Sequence, residues 1–219
     1  MTLKKDKAIE AKILKEILPD FLNNMLNEGI ISTADMSDRN KISEKISNYM
    51  SKHNGKLIFD FILDHRETLL NVAENEIKKG NFEFAVSLYA TFIEHTLNKI
   101  IHLACISKKI DSKTQAEIIR NTNINAKCSW LLVLLNLPPF RKEYVNIILI
   151  IADERNSFIH YKWKPEKDTD IPNIEKIEKE EQEKIVKIKS LLRYLKSYET
   201  RMEFKGKREK INKYLKKDL

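Results

Sequence analysis

Apolar residues recur every three or four positions along most of this chain, which is the spacing that places them on one face of an α-helix. The clearest case follows Asn81, where the segment "FEFAVSLYATFIEHTLNKIIHLACIS" is apolar over more than half of its circumference. Such a helix packs against several neighbours at once, so we predict a central helix that Asn81 caps. The preceding Gly80 predicts the end of another long helix over 56–79.

Further helices are predicted by the same spacing elsewhere in the chain. They cover 4–18, 21–29, 43–50, a short helix that begins at Asp111 or Ser112, an apolar helix over 125–137, one from about Phe140, and a charged helix over 174–203, followed by a basic helical tail. Proline and glycine are scarce, with 5 and 4 residues, and no strand-like alternation persists. We therefore predict an all-α bundle.

The chain of 219 residues is long enough to bury a proper core. It carries a formal charge of +8, which favours contact with phosphates without identifying them. The N-terminus lacks the apolar run of a signal peptide, and Val145–Ala152 is too short to span a bilayer. We expect a soluble, cytoplasmic protein with no membrane contact, in which Cys105 and Cys128 are buried thiols rather than a disulfide.

The stretch "ADERNSFIHYKW", over 152–163, follows a long apolar run and brings Arg155 and His160 close together in sequence. A guanidinium binds a phosphate through two parallel hydrogen bonds and stabilises charge on its oxygens. A histidine with a pKa near ~6.5 can take up and return a proton at neutral pH. Together these groups suffice for attack by an RNA 2′-hydroxyl on the adjacent phosphate, with no metal required.

Two interpretations of this pair stay open on the residues alone. On a regular helix, five steps of about 100° place Arg155 and His160 about 140° apart, so that they face different directions. A local break at Asn156, whose amide competes for backbone groups, would let both side chains reach one pocket. Alternatively, Arg155 lies on a solvated surface and His160 is a structural histidine between Phe158 and Tyr161. The spacing by itself favours the structural interpretation.

The segment "RNSFIHYKW" resembles the signature of the HEPN superfamily (higher eukaryotes and prokaryotes nucleotide-binding domains), an arginine followed after four to six residues by a histidine. In that signature asparagine often follows the arginine, as Asn156 follows Arg155 here. The segment "GNFEFAVSLYATFIEHTLNKII" is similar to the second helix of these domains, where an acidic or polar side chain approaches the motif. The resemblance covers residues 57–163, roughly half of the chain.

The resemblance implies a helical domain that dimerises and places two such motifs across a shared cleft. Many members are metal-independent endoribonucleases of toxin–antitoxin, abortive-infection and CRISPR-associated systems. Carried over, Arg155 would bind the scissile phosphate, His160 would transfer a proton, and Asn156 would orient the motif or the substrate. We therefore predict an RNA-cleaving homodimer of toxin or antiviral-defence type that needs no cofactor and no metal. An antitoxin or effector protein is expected as a further partner.

Two other groups of residues are candidates for the same cleft. Glu94 or His95, on a polar stripe of the predicted central helix, would line it. The alternative for that stripe is an exposed face or a buried hydrogen-bond network. Lys162 and Lys164, with Tyr161, would bind nucleic acid through phosphate contacts and base stacking.

The resemblance also divides the chain and leaves a second function open. We predict an N-terminal helical extension over 1–52, a HEPN-like core over 53–170, and a long helix with a basic tail over 171–219. The alternative function is a non-catalytic HEPN binding or adaptor module that partners a nucleotidyltransferase or a larger defence effector. A purely structural adaptor would instead use the apolar side of the helix over 174–203 for assembly.

Overall fold

The computed structural model describes residues 18–52, 65–160, 174–204 and 206–215, with only the backbone for 174–176. Every regular element in these ranges is helical, which confirms the all-α prediction. In chain order they are α1 (18–27), a 3₁₀ turn (Asp35–Ser37), α2 (Arg39–Lys52), α3 (Arg66–Lys78), α4 (Phe82–Ser107), α5 (Ser112–Asn121), α6 (Ile124–Cys128), α7 (Trp130–Leu134), α8 (Lys142–Ile159), α9 (Ile174–Phe204) and α10 (Arg208–Leu215). The helical stretches predicted over 4–17 and 56–64 lie outside the described residues.

The prediction of a single apolar helix over 125–137 is wrong in one respect, because two short helices, α6 and α7, occupy this segment. Ser129 separates α6 from α7 with φ −125° and ψ −107°, which is outside the helical region. Neither glycine nor proline marks this break in the sequence. The apolar residues of α7 are also not uniformly buried, since Trp130, Val133 and Leu134 are exposed.

The start of α4 is where the sequence places it, and Asn81 occupies the N-cap position, where its carbonyl accepts a hydrogen bond of 3.0 Å from the Ala85 N–H. Its side chain, however, accepts no hydrogen bond from the helix, and the side-chain amide instead donates a hydrogen bond of 2.6 Å to Glu76 Oε2. Gly80 adopts a φ of +80°, which a glycine tolerates without strain and which reverses the chain between α3 and α4. The helix boundary therefore rests on Gly80 and the apolar pattern rather than on the expected side-chain cap.

The chain forms two compact units, of which the larger comprises Leu63–Met202. α4 is its central helix, and Tyr89, Ile100 and Cys105 on it have no exposed surface. α4 packs most extensively on α3 and α8. α9 completes this core with buried apolar residues at helical spacing, namely Ile185, Ile188, Leu191 and Leu195. Cys105 and Cys128 are both buried and unbonded, as predicted.

The smaller unit comprises Met1–Ile62 and Glu203–Leu219. Its core is made by residues of α1, α2, α10 and the segment around the 3₁₀ turn, with Met25, Ile42 and Ile211 buried. Asp35 is buried at the edge of this core and accepts hydrogen bonds from the backbone and hydroxyl of Ser32, both at 2.7 Å, and from Lys45 at 2.6 Å. These partners, Lys45 foremost, lower the pKa of Asp35 well below its ordinary value.

The two units group the chain differently from the three segments predicted from sequence. Most of α9 packs within the larger unit, because Ile188 and Leu195 are buried in the same core as α4. The end of the chain belongs with the N-terminal helices instead. None of the helices in the described part of the chain is both long and apolar enough to cross a membrane.

Candidate functional site

Arg155 lies on α8, at the edge of the face that this helix buries against α4. Ile148, Ile151 and Ala152 are buried, and Arg155 follows them at the same helical spacing. This placement turns the arginine towards α4 rather than towards solvent, and its side chain is only 20% exposed. The apolar sequence before the motif therefore fixes the direction in which the guanidinium points.

Glu94 on α4 is the principal partner of this guanidinium. Arg155 Nη1 donates a hydrogen bond of 2.5 Å to Glu94 Oε2. Burial alone would raise the pKa of Glu94, but the hydrogen bond and the charge of Arg155 hold that pKa below its ordinary value. Glu94 is thus an ionised carboxylate at neutral pH that anchors one end of the guanidinium.

Lys127 on α6 is a third charged group of this cluster, and the sequence analysis missed it. Its side chain is only 3% exposed, and its Nζ lies 3.7 Å from Glu94 Oε1. Burial lowers the pKa of Lys127, against the opposing effect of the Glu94 carboxylate. The available signal was a single lysine inside the apolar segment "INAKCSWLLVLL". We call Glu94, Lys127 and Arg155 the carboxylate-bridged cluster.

The second edge of the Arg155 guanidinium is poorly satisfied within the described part of the chain. Nη2 lies 3.5 Å from Asn156 Oδ1, at the long end of the hydrogen-bond range. Nε is buried and has no hydrogen-bond partner. Two parallel donors on one edge are the arrangement by which arginine binds a phosphate or carboxylate. Arg155 is therefore anchored at Nη1 and retains binding capacity at Nε and Nη2.

Asn156 does not break α8, so the local break that would bring Arg155 and His160 to one pocket of the same chain is not present. The helix is regular through Ile159, and the Asn156 carbonyl accepts a hydrogen bond of 3.1 Å from the His160 N–H. His160 is the C-terminal cap residue and is exposed. With about 140° between their directions, Arg155 faces α4 while His160 faces solvent beyond the helix end. The apolar sequence continues the helix more strongly than one asparagine interrupts it.

The polar stripe of α4 is divided between these environments. Glu94 is half-buried against Arg155, whereas His95 is exposed on a neighbouring face. Thr91 donates its hydroxyl to the Ser87 carbonyl at 3.0 Å. Asn98, one turn beyond Glu94, has a buried Oδ1 atom with no hydrogen-bond partner in the described part of the chain. The structure thus brings Glu94, rather than His95, into contact with the motif.

An apolar surface accompanies the end of α8 beside His160. Phe158 and Ile159 are 44% and 61% exposed, and Phe158 packs at 6.3 Å between ring centroids on Phe84 of α4, itself exposed. We call Phe84, Phe158 and Ile159 the α8-end patch. The C-terminal end of α8 therefore carries two exposed apolar side chains, one of which packs on an exposed ring of α4.

The predicted nucleic-acid-binding residues Tyr161, Lys162 and Lys164 lie outside the described residues. Within the described ranges, no three or more His, Cys, Asp or Glu side chains are arranged so that they could hold a metal ion. Comparison of the chain with known protein families, curated proteins and solved structures found no match. The site is therefore interpreted from its own geometry.

Proposed function

We propose that the protein is a metal-independent endoribonuclease of HEPN type that cleaves single-stranded RNA, in a toxin or antiviral-defence setting. Arg155 binds the scissile phosphate, His160 transfers a proton, and Asn156 supports the guanidinium. The observation that supports the proposal is the incomplete hydrogen bonding of the Arg155 guanidinium. One donor is anchored by Glu94, while the Nε–Nη2 edge lacks a full set of partners among the residues that the structure describes.

An unsatisfied edge of this kind favours an anionic ligand. Leaving a buried N–H donor without a partner costs about 1–3 kcal/mol. A phosphodiester that approaches Nη2 and, once neighbouring side chains move, the buried Nε would remove that cost and receive two charge-assisted hydrogen bonds. Lys127 adds a second positive charge to the cluster, so that the single Glu94 carboxylate does not neutralise it. The cluster therefore has a net positive charge that suits a phosphate.

The reaction is an internal transfer within the RNA. The 2′-oxygen forms a bond to phosphorus as its proton leaves, the bond from phosphorus to the 5′-oxygen breaks, and the 5′-oxygen takes up a proton. The products carry a 2′,3′-cyclic phosphate and a 5′-hydroxyl. Arg155 stabilises the charge on the phosphoryl oxygens, which is worth about 10²- to 10³-fold in comparable sites. His160 exchanges a proton with one of the two reacting oxygens.

The proposal includes a homodimer, because Arg155 and His160 face different directions within one chain. Two copies that meet at the ends of α8 would each bring both residues to a shared cleft. The α8-end patch supports this arrangement, since Phe158 and Ile159 next to His160 are exposed apolar residues. An antitoxin or effector that binds the same surface would control the activity.

The test is cleavage of end-labelled single-stranded RNA in the presence of EDTA. Wild type is expected to leave 2′,3′-cyclic phosphate ends, and Arg155→Ala and His160→Ala are expected to lose at least about 100-fold in rate. Arg120→Ala and His65→Ala are matched controls, because both residues are exposed, Arg120 on α5 and His65 directly before α3. Cleavage that persists in both site variants, or that is lost equally in the controls, contradicts the proposal.

A second candidate function is a non-catalytic HEPN module that partners a nucleotidyltransferase or a larger defence effector. The observation in its favour is that Arg155 and His160 do not converge within the single chain. Wild type would then bind a partner through the α8-end patch without cleaving RNA as a dimer. An assembly role for the apolar side of α9 has no such support, because Ile185, Ile188 and Leu195 are buried in the protein's own core.

A further inference from the structure

Lys127 is placed where a lysine is costly. It lies on α6 between Ala126 and Cys128, both buried, and its own side chain is 3% exposed. A buried ammonium group needs a partner charge or hydrogen bonds to offset the loss of water. Its carboxylate partner is Glu94, at 3.7 Å between Nζ and Oε1. Lys127 is therefore held in the larger unit by the same carboxylate that anchors Arg155.

Glu94 uses a different oxygen for each of its two cations. Oε1 faces Lys127, and Oε2 accepts the hydrogen bond from Arg155 Nη1. The distance to Arg155 is 2.5 Å, the shorter of the two. A carboxylate with a cation at each oxygen is restrained in rotation: the hydrogen bond from Arg155 holds Oε2, and the charge of Lys127 attracts Oε1 at a distance longer than a hydrogen bond. The orientation of Arg155 on α8 thus depends on a residue of α6.

We propose that Lys127 is a positioning residue, which holds Glu94 so that Arg155 presents its Nε–Nη2 edge to the RNA phosphate. This inference rests on the proposed function for the identity of the ligand. Without Lys127, Oε1 of Glu94 is expected to turn towards Arg155 as well, so that both carboxylate oxygens pair with the guanidinium. With Lys127, the carboxylate is shared and the guanidinium keeps both its direction and its charge for the phosphate.

The test is a double-mutant cycle on binding of single-stranded RNA with 2′-O-methyl groups, which cannot undergo internal transfer. Lys127→Met, a substitution of similar volume, is expected to raise the Kd by about tenfold, within the range for coupled neighbouring residues. Lys127→Arg keeps the charge and is expected to restore most of the affinity. In a Glu94→Gln background, Lys127→Met is expected to change the Kd by less than about twofold, because its effect passes through Glu94.

The cycle separates positioning from a plain charge effect. If Lys127→Met weakens binding equally with Glu94 and with Gln at that position, Lys127 acts only as a distant charge and the inference is overturned. A folded Lys127→Met protein with unchanged affinity in an RNA-binding wild-type background overturns it as well. Lys113→Met is the control, because Lys113 is an exposed lysine on α5.

A measurement without RNA distinguishes failure of this inference from failure of the proposed function. Side-chain ¹⁵N–¹H NMR signals of Arg155, assigned by their loss in Arg155→Lys, are expected to be resolved in wild type and lost in Lys127→Met. Should no variant bind RNA while this signal still depends on Lys127, the proposed function fails and the positioning role stands. Where Lys127→Met does not fold, Glu94→Gln takes its place, and an unchanged Arg155 signal there overturns the inference.

Discussion

Two arginine–glutamate pairs in the larger unit show how different such pairs can be. Arg66 of α3 binds Glu199 of α9 through two hydrogen bonds of 2.8 Å, from Nη1 and Nη2 to the two carboxylate oxygens. Nη1 also donates to Thr96 at 3.1 Å, and the guanidinium lies over the ring of Phe92. Within the described ranges, Arg155 has one hydrogen bond to Glu94, one long contact to Asn156, and a buried Nε with no partner.

The difference separates an ion pair that supports the fold from one that suits a ligand. Lys99 adds a further contact of 2.8 Å to Glu199, so this carboxylate joins three helices through Arg66 on α3 and Lys99 on α4. Both terminal nitrogens of Arg66 and both carboxylate oxygens of Glu199 thus have hydrogen-bond partners. Glu94 has a similar set of two cations, but its arginine keeps an incompletely bonded edge. The two pairs therefore predict opposite effects on stability and on binding.

The largest expected effect is the loss of stability on breaking the Arg66–Glu199 pair. Glu199→Gln leaves the charges of Arg66 and Lys99 without their carboxylate in a mostly buried place, and we expect it to cost about 3–5 kcal/mol in unfolding free energy. Glu94→Gln is the matched change in the carboxylate-bridged cluster, and a smaller cost of about 2 kcal/mol is expected there, because the buried Lys127 loses its carboxylate while Glu94 itself is 31% exposed. Urea denaturation followed by circular dichroism measures both. An equal loss of unfolding free energy in the two variants would mean that the two arginine–glutamate pairs do not differ in how far they stabilise the fold.

The same pair makes the fold sensitive to acid. Burial would raise the pKa of Glu199, but the hydrogen bonds from Arg66 and Lys99 hold it below its ordinary value. A carboxyl group with a lowered pKa in the folded state stabilises the fold above its unfolded pKa of about 4.3. That contribution is lost as the pH falls through the folded pKa. The stability difference between wild type and Glu199→Gln, measured by denaturation between pH 7 and pH 3, is expected to shrink with acid.

A stability difference that stays constant or widens towards pH 3 contradicts this assignment. Glu94→Gln serves as the comparison, because the pKa of Glu94 is also lowered by its arginine. Its pH-dependent contribution has the same sign and is expected to be smaller, since Glu94 is more exposed than Glu199.

The fold could be predicted well where the information is local. The start of α4 after Gly80 and the extent of α9 follow from apolar spacing that a single helix carries by itself. The break at Ser129 could not be predicted, because no glycine or proline marks it. Asn81 stands at the N-cap of α4 but forms no side-chain cap hydrogen bond, because its amide binds Glu76 at the end of the preceding helix. The spacing of residues within one helix cannot predict such competition from a neighbouring helix.

The candidate site could be predicted only in part for the same reason. Arg155 and Glu94 were both singled out, and the structure places them in direct contact. Lys127 was missed because its relation to Glu94 depends on how α6 packs on α4, and no local spacing expresses that. The roles of Arg155, Asn156 and His160 in RNA cleavage stay predictions, as does the dimer.

Binding of RNA is expected to distinguish Arg155 from Arg66. At ten times its Kd, 2′-O-methyl single-stranded RNA stabilises the fold that binds it by about 1.4 kcal/mol. The melting temperature is expected to rise by roughly 3–6 °C in wild type. The rise is expected to vanish in Arg155→Lys, because lysine cannot present a two-donor edge. Arg66→Lys is the control, and its rise should persist even though its starting stability is lower.

An equal rise in wild type and in Arg155→Lys means that the RNA binds elsewhere, through the general positive charge of the chain. If the rise in melting temperature is lost in Arg66→Lys alone, the RNA binds through Arg66 and not through Arg155. Thermal melts followed by circular dichroism at matched salt concentration measure all three proteins, and matched salt is required because phosphate contacts weaken as salt increases.

The smallest effect is expected at Glu154, which precedes Arg155 on α8 and pairs with Lys184 of α9 at 2.9 Å. Both side chains are more than a third exposed, so water and salt screen the pair. Glu154→Gln is expected to change the unfolding free energy by less than about 0.5 kcal/mol in urea denaturation. A cost near that of Glu94→Gln would mean that any carboxylate–cation pair on this helix contributes equally. The contact between Glu94 and Arg155 would then stabilise the fold no more than an exposed ion pair does. Only ligand binding would then distinguish the Arg155–Glu94 pair from the Arg66–Glu199 pair.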